Sequence, residues 1–286
     1  MYKNDGLMGL NNLGNTCYMN STLQFLSHTY LDMSIIDELK KNKDNISSCY
    51  YDFLKSKWLK QNVRTYNPID IKRSISKFNK TFVGNEQHDS HELLLFLLDD
   101  QESKNPYIKK FFQGIFLSTL ECPKCKYKSK TKQPFYTLNL EISNSNNLED
   151  CLQDFFNPER LDNDNCWKCD KCKKEVNAKK TITISKFPKN LIIVFKRFSF
   201  HRIGKRCNKQ ISFPLSFKNK KYKLKSIINH YGSYNYGHYT AVGKSPINGD
   251  WINYNDTNVS NVDYKNDEDG LNKFGISAYI LLYERK

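Results

Sequence analysis

The sequence predicts an α+β fold, helices first and strands last, on three observations. Met19, Leu23, Leu26 and Tyr30 follow the i, i+4, i+7, i+11 spacing of a buried helix face. The run HELLLFLLDD, residues 91–100, is a second, strongly apolar helix. From Thr181 onward the segments TITIS, NLIIVFKRF, HYTAVG, WINY and SAYILLYER are rich in β-branched and aromatic residues, the composition of strands. Helical segments followed by strand segments, without alternation, fit α+β and not a parallel α/β sheet.

The helical region extends to about residue 110. Residues 111 to about 185 carry paired cysteines and many lysines between short apolar stretches, and the rest reads as strand. No repeat or long linker divides the chain, so a single domain of 1–286 is expected. The N-terminus has no apolar stretch after a basic start, and the run Leu93 to Leu98 is far short of the ~20 residues that cross a bilayer. A soluble, intracellular, cytoplasmic or nuclear protein with no membrane partner is expected, acting as a monomer. A net charge of +15 suggests nucleic acid. However, the lysines are scattered through every segment with Asn, Ile and Tyr, which argues for compositional bias and against a phosphate-binding patch.

Nine cysteines, four of them in C-x-x-C pairs, favour metal binding plus a reactive thiol over a disulfide framework. Cys122-Pro-Lys-Cys125 and Cys169-Asp-Lys-Cys172 are separated by 43 residues and can each give two thiolates to a tetrahedral, structural Zn²⁺ site. Cys166-Trp-Lys-Cys169 has the same spacing, so the second pair has two possible registers.

Cys17 stands immediately before the first periodic helix, after Gly14, Asn15 and Thr16, which supply a turn and possible N-caps. The positive end of a helix favours the thiolate, the attacking species; a buried packing cysteine is the plainer account. Among six histidines, His238 has the most informative surroundings. A hairpin closing symmetrically around Pro246 and Ile247 places it opposite Asn255, whose side-chain carbonyl would accept the Nδ1–H. His28, His88, His91, His201 and His230 lack such a partner pattern and read mostly as surface or packing residues.

GLNNLGNTCYMNSTLQ, QHDSHELLLFLLD, FPKNLIIVFKRF, YGHYTAV, WINYNDTNVS and SAYILLYERK, in this order from Gly9 to Lys286, resemble the ubiquitin-specific protease family. The resemblance implies a papain-like cysteine protease fold with a helical thumb, a palm of strands and zinc-bearing fingers. It implies a deubiquitinating hydrolase with Cys17 as nucleophile, His238 as general base, Asn255 as third member and Asn12 in the oxyanion hole. Asp256, beside Asn255, would cap the strand end, orient His238 or position a polar group at the oxyanion. The resemblance also favours Cys169 and Cys172 as zinc ligands, leaving Cys166 spare.

Ubiquitin and ubiquitinated proteins are the implied partners. Ubiquitin's tail, Leu-Arg-Leu-Arg-Gly-Gly, is extended and basic, and Asp89 matches the family's acidic residue that meets it. Asp89-Ser90-His91-Glu92 is also a capping box, and both roles are compatible. His88 and His91 stand where the family usually has Gln. Residues 231–239 resemble a loop closing over the tail, with 199–210 as its companion; Tyr239 either packs on the tail or faces the core. A catalytically silent ubiquitin-binding scaffold would have lost Cys or His, and this chain keeps both. A ubiquitin-like modifier is the alternative substrate.

Overall fold

The computed structural model describes residues 5–29, 45–102, 104, 106–198, 206–218, 221–233, 236–263 and 268–285. Tyr30, His201 and residues 199–205 of the companion loop lie outside them.

The N-terminal part holds β1 (Gly9–Leu10), α1 (Cys17–Leu26), α2 (Asn45–Trp58), β2 (Thr65–Tyr66), α3 (Ile69–Phe78), α4 (Ser90–Glu102) and α5 (Pro106–Phe112). It is followed by β3 (Gly114–Glu121), β4 (Lys128–Phe135), β5 (Thr137–Leu140), α6 (Leu148–Phe156), β6 (Glu159–Arg160), β7 (Trp167–Lys168), β8 (Glu175–Val176) and β9 (Lys179–Lys186). The remainder is β10 (Asn190–Phe195), β11 (Ser216–Phe217), β12 (Tyr222–Gly232), β13 (Gly237–Lys244), β14 (Trp251–Asn255), β15 (Asn258–Asn261) and β16 (Ala278–Arg285).

The large sheet has the order β15-β14-β13-β12-β16-β10-β5, with β11 beside β12. Its central strands are buried on both faces, which is why NLIIVF is a continuous apolar run. Ile192, Val194, Ile280 and Leu282 point into the core shared with α1 and α4. Leu191, Ile193, Leu281 and Tyr283 point the other way, into the core that includes Leu148 and Cys151 of α6. The period-two alternation of a strand thus splits one sheet between two cores. A second sheet, β4-β3-β9-β6, projects toward the cysteine pairs, where β7 and β8 form a small hairpin.

Two details depart from the sequence reading. Residues 137–156 fall inside the stretch assigned to the fingers, yet β5 returns to pair parallel with β10 and α6 packs in the sheet core. Leu138 and Leu140 require a buried face, and the large sheet supplies it. Secondly, α1 is buried on every side, including Asn20, Ser21, Thr22 and Gln24, where one apolar stripe was expected. Most of the polar groups find partners: Thr22 donates to the Tyr18 carbonyl at 2.8 Å, and Gln24 Nε2 to the Met8 carbonyl at 2.7 Å.

Candidate active site

Cys17 is the first residue of α1, 4% exposed, at the wall of a cleft of about 300 Å³ between the helices and the sheet. Thr16 occupies the N-cap position, but its side chain does not cap the helix. Its hydroxyl instead turns back, accepting Leu13 N–H at 2.8 Å and meeting Asn12 Oδ1 at 3.3 Å. The start of the helix is therefore left open toward the cleft, and the expected cap does not form because Thr16 is engaged by the turn before it.

His238, near the start of β13, is hydrogen-bonded through Nε2 to Asn255 Oδ1 at 2.6 Å, and the neighbouring Cys17 thiol is the group that most affects its proton affinity. The expected pair is present, but by the other ring nitrogen. The hairpin closes one residue later than expected: Ala241 pairs with Tyr254 and Lys244 with Trp251. Continued outward, this register sets Asn255 opposite Thr240, with His238 on the diagonal and on the same face. A two-residue shift preserves the face. The longer diagonal is spanned by the distal nitrogen. The Cys17 hydrogen bond, more than any other contact, raises the imidazole pKa to about 9; Asn255 and the charges of Cys17 and Asp256 add to it, while burial opposes.

Asn12, in the turn before Cys17, pairs with Asp256, the residue after Asn255. Asn12 Oδ1 accepts the backbone N–H of Gly14 at 3.0 Å and of Thr16 at 3.1 Å, so its amide nitrogen has one direction left. That nitrogen donates to Asp256 Oδ2 at 2.9 Å, while Asp256 Oδ1 accepts from Asn20 Nδ2 at 2.7 Å. Asp256 has a left-handed φ of 52°, which Asp tolerates, at the turn from β14 to β15. Its carbonyl accepts Leu10 N–H at 2.9 Å, and Gly9 lies so close that a Cβ would stand 2.7 Å from the same oxygen. The two adjacent side chains therefore do different things: Asn255 holds His238, and Asp256 holds Asn12.

Farther along the cleft, Asp89 caps α4 by accepting His91 N–H at 2.7 Å. Its carboxylate also accepts the Tyr279 hydroxyl, at 3.1 and 2.9 Å. Burial raises the Asp89 pKa; the His91 N–H, the Tyr279 O–H and the Glu92 N–H pull it back. Tyr239 is 8% exposed, belongs to the core and still lines the cleft with Phe198 and His230. Burial holds its phenol well above the usual range. His230 and His88, expected at the surface or in packing, also line this cleft. His230 lies edge-on to Tyr239 at 4.7 Å, with a pKa lowered to about 4 by burial and by Arg206, Arg197 and His238. Tyr279, Asn20 and Gln87 lie in the family-like segments but carry no assigned role there; Gln87 Oε1 accepts Gly237 N–H at 3.2 Å, tying the α4 approach to β13.

The sulfurs of Cys122, Cys125, Cys169 and Cys172 lie within 4.8 Å of one another. Cys122–Cys172 and Cys125–Cys169 are 3.9 and 3.6 Å apart. Thiolates ~2.3 Å from a tetrahedral centre stand ~3.8 Å apart, so the donor set fits one metal ion. The two knuckles share a backbone: Lys126 and Lys173 both have φ of 58° and donate to the Cys122 and Cys169 carbonyls at 3.0 and 2.8 Å. Cys166 is exposed and its thiol donates to Asn177 Oδ1 at 3.1 Å, outside the cluster.

A thiol, an imidazole and an amide carbonyl in this order are the groups that nucleophilic catalysis by a cysteine requires. The chain belongs to the ubiquitin carboxyl-terminal hydrolase family, which it matches over residues 8–283. Ubiquitin carboxyl-terminal hydrolase Usp2 of Drosophila melanogaster is 33% identical over 99% of this chain and 35% of its own length. Ubiquitin carboxyl-terminal hydrolase 2 of Bos taurus is 30% identical over 98% of this chain and 55% of its own, and that of Gallus gallus 31% identical over 98% and 93%. The chain thus spans 35% and 55% of the fly and bovine relatives. The solved SAGA DUB module Ubp8/Sgf11/Sus1/Sgf73 bound to ubiquitin aldehyde superposes with a TM-score of 0.82 at 26% identity, over 100% of this chain and 71% of that one. The module bound to monoubiquitin gives 0.83 at 27%, over 100% and 70%.

Proposed function

We propose that this chain is a thiol-dependent deubiquitinase that cleaves the peptide or isopeptide bond after the C-terminal glycine of ubiquitin. The observation that carries this reading is His238, held by Asn255 at 2.6 Å with the Cys17 thiol as the neighbour that most raises its proton affinity. Cys17, its proton passed to His238, attacks the glycine carbonyl as thiolate, forming the S–C bond, and the carbonyl electrons move to oxygen. Asn12, aimed by Asp256, donates to that oxyanion, where charge appears only during reaction. The C–N bond then breaks, and His238 gives its proton to the leaving lysine amine. Water, deprotonated by His238, opens the thioester and releases the carboxylate. Asn255 keeps the ring aligned throughout.

The basic tail of ubiquitin would run along the cleft past Tyr239 toward Asp89, whose cap bond leaves its carboxylate at the cleft wall. The metal is Zn²⁺, held by Cys122, Cys125, Cys169 and Cys172; a closed thiolate site is structural and takes no part in the chemistry. One catalytic unit serves all of this: a thumb of residues to about 110, fingers within about 111–185, and a palm from about 186 joined by residues 137–156. The proposed site needs no residue from a second copy, and a monomer is the simplest reading. A nucleophilic thiol and a thiolate metal site both favour a reducing compartment, the cytoplasm or nucleus.

A ubiquitin probe with a C-terminal electrophile tests the reading. It should label wild type and not Cys17→Ala; persistent single-site labelling of Cys17→Ala would assign the nucleophile elsewhere. Probes built on ubiquitin-like modifiers, run beside it, should label more slowly.

A further inference from the structure

Tyr279, on β16, donates its hydroxyl to both carboxylate oxygens of Asp89, a residue 190 positions earlier in the chain. The cap bond from His91 N–H grips the same carboxylate from α4. Held from two elements, the carboxyl group cannot swing. The Tyr279 ring is itself fixed, 4% exposed, against Phe198 at 5.4 Å and Tyr239 at 6.3 Å. Its packing and its hydroxyl are therefore separable.

We propose that Tyr279 is a positioning residue for substrate recognition: its hydroxyl holds the Asp89 carboxylate aimed into the cleft for an arginine of the substrate's extended tail. The proposal rests on the tail-binding reading of Asp89. Burial disfavours the charged carboxylate that a guanidinium requires, and donors to the charged form offset part of that cost. Two of those donors are backbone N–H groups of the helix start. Tyr279 supplies the hydroxyl from the sheet. The other titratable groups around Asp89 are His88, His91 and Glu92 on its own segment and Tyr239 on β13, with His230 of β12 behind Tyr239. Burial lowers the pKa of His91 to about 4 and that of His88 as well.

Binding of unconjugated ubiquitin to the Cys17→Ala protein, followed from about pH 8 to about pH 5, tests this apart from catalysis. Adding Tyr279→Phe should weaken binding about tenfold at neutral pH, the worth of a hydrogen bond to a charged group. It should also make affinity fall at a higher pH on acidification, because Asp89 then protonates earlier. The melting temperature should stay close to that of the parent. Ubiquitin with its tail arginines replaced by alanine should bind both proteins equally. Asp89→Asn keeps a good N-cap and should bind as weakly as Tyr279→Phe or more so. If Asp89→Asn binds like the parent, the tail-binding reading of Asp89 falls and takes this proposal with it. Weak binding by Asp89→Asn beside parental affinity and pH midpoint in Tyr279→Phe overturns the positioning role alone.

Discussion

Asn12 and Asp256, 244 residues apart in sequence, are joined by a 2.9 Å hydrogen bond from amide nitrogen to carboxylate. With Asn12 Oδ1 committed to two backbone N–H groups, that bond decides where the second amide hydrogen points. In the proposed mechanism Asp256 thereby shapes the electrophilic side of the site, and Asn255 the basic side.

Steady-state kinetics on a fluorogenic ubiquitin substrate should separate the two. Asp256→Ala should lower kcat by roughly 10- to 100-fold with little change in KM, since losing an oxyanion donor outright costs ~10²–10³. Asn255→Ala should also lower kcat, and Asn255→Asp should be tolerated because it keeps an acceptor for His238. An Asp256→Ala protein with normal kcat and raised KM would remove Asp256 from the chemistry.

His238 should hold its proton well past neutrality. Its pKa of about 9 stands above the ordinary 6.5, and the Cys17 hydrogen bond is the largest cause. The stabilisation from this pairing is fully present below about 6.5 and is lost as pH rises through about 9. NMR titration of the imidazole should show a midpoint near 9 in wild type and a lower one in Cys17→Ala. The same ordinary midpoint in both proteins would mean that the thiol and ring do not interact. His238→Ala should slow turnover by ~10²–10⁴.

Much of the site was readable because its chemistry is written locally. Cys17 precedes its own helix, His238 and Asn255 lie on one hairpin, and each cysteine knuckle fits within four residues. Even there, a one-residue error in the turn changed which ring nitrogen meets Asn255, since pairing moves two residues for each residue of turn. Partnerships across the chain left no trace: Tyr279 with Asp89, and Asn20 with Asp256, 236 residues away. Neither tyrosine in a strand nor asparagine in a buried helix announces a distant carboxylate. The complete burial of α1 was hidden for the same reason, because its polar residues find partners only once the sheet is in place.

The cysteine register can be settled by metal content. Cys122, Cys125, Cys169 and Cys172 form the cluster, and the Cys166 thiol bonds Asn177 outside it. Elemental analysis should give one zinc per chain in wild type and in Cys166→Ser. Cys169→Ser or Cys172→Ser should lose the metal and loosen the second sheet, because three thiolates leave the tetrahedron open. Loss of zinc from Cys166→Ser with retention in Cys172→Ser would exchange the two residues.

Lys57 supplies a test of how the catalytic helix is braced. It is 0% exposed and donates to Gln24 Oε1 at 2.5 Å and Ser27 Oγ at 2.8 Å, and it lies 3.2 Å from His28 Nε2. Three acceptors call for three N–H donors, which only the ammonium form has, and the Tyr254 ring, 4.1 Å away, also favours the cation. Burial works against charge and lowers the Lys57 pKa well below its ordinary value. The unfolded chain therefore binds more protons than the folded one between the lowered pKa and about 10.4, and folding stability must rise with pH across that window. Lys57→Met removes this group. Relative to the variant, wild type should lose stability as pH falls from about 10 toward neutrality, by at most about 1.4 kcal/mol per pH unit. Denaturant unfolding of both proteins across that range measures the difference in slope, whatever offset the lost hydrogen bonds impose. Parallel curves would show that Lys57 keeps its ordinary proton affinity, and that its amine acceptors and aromatic neighbours fully compensate its burial.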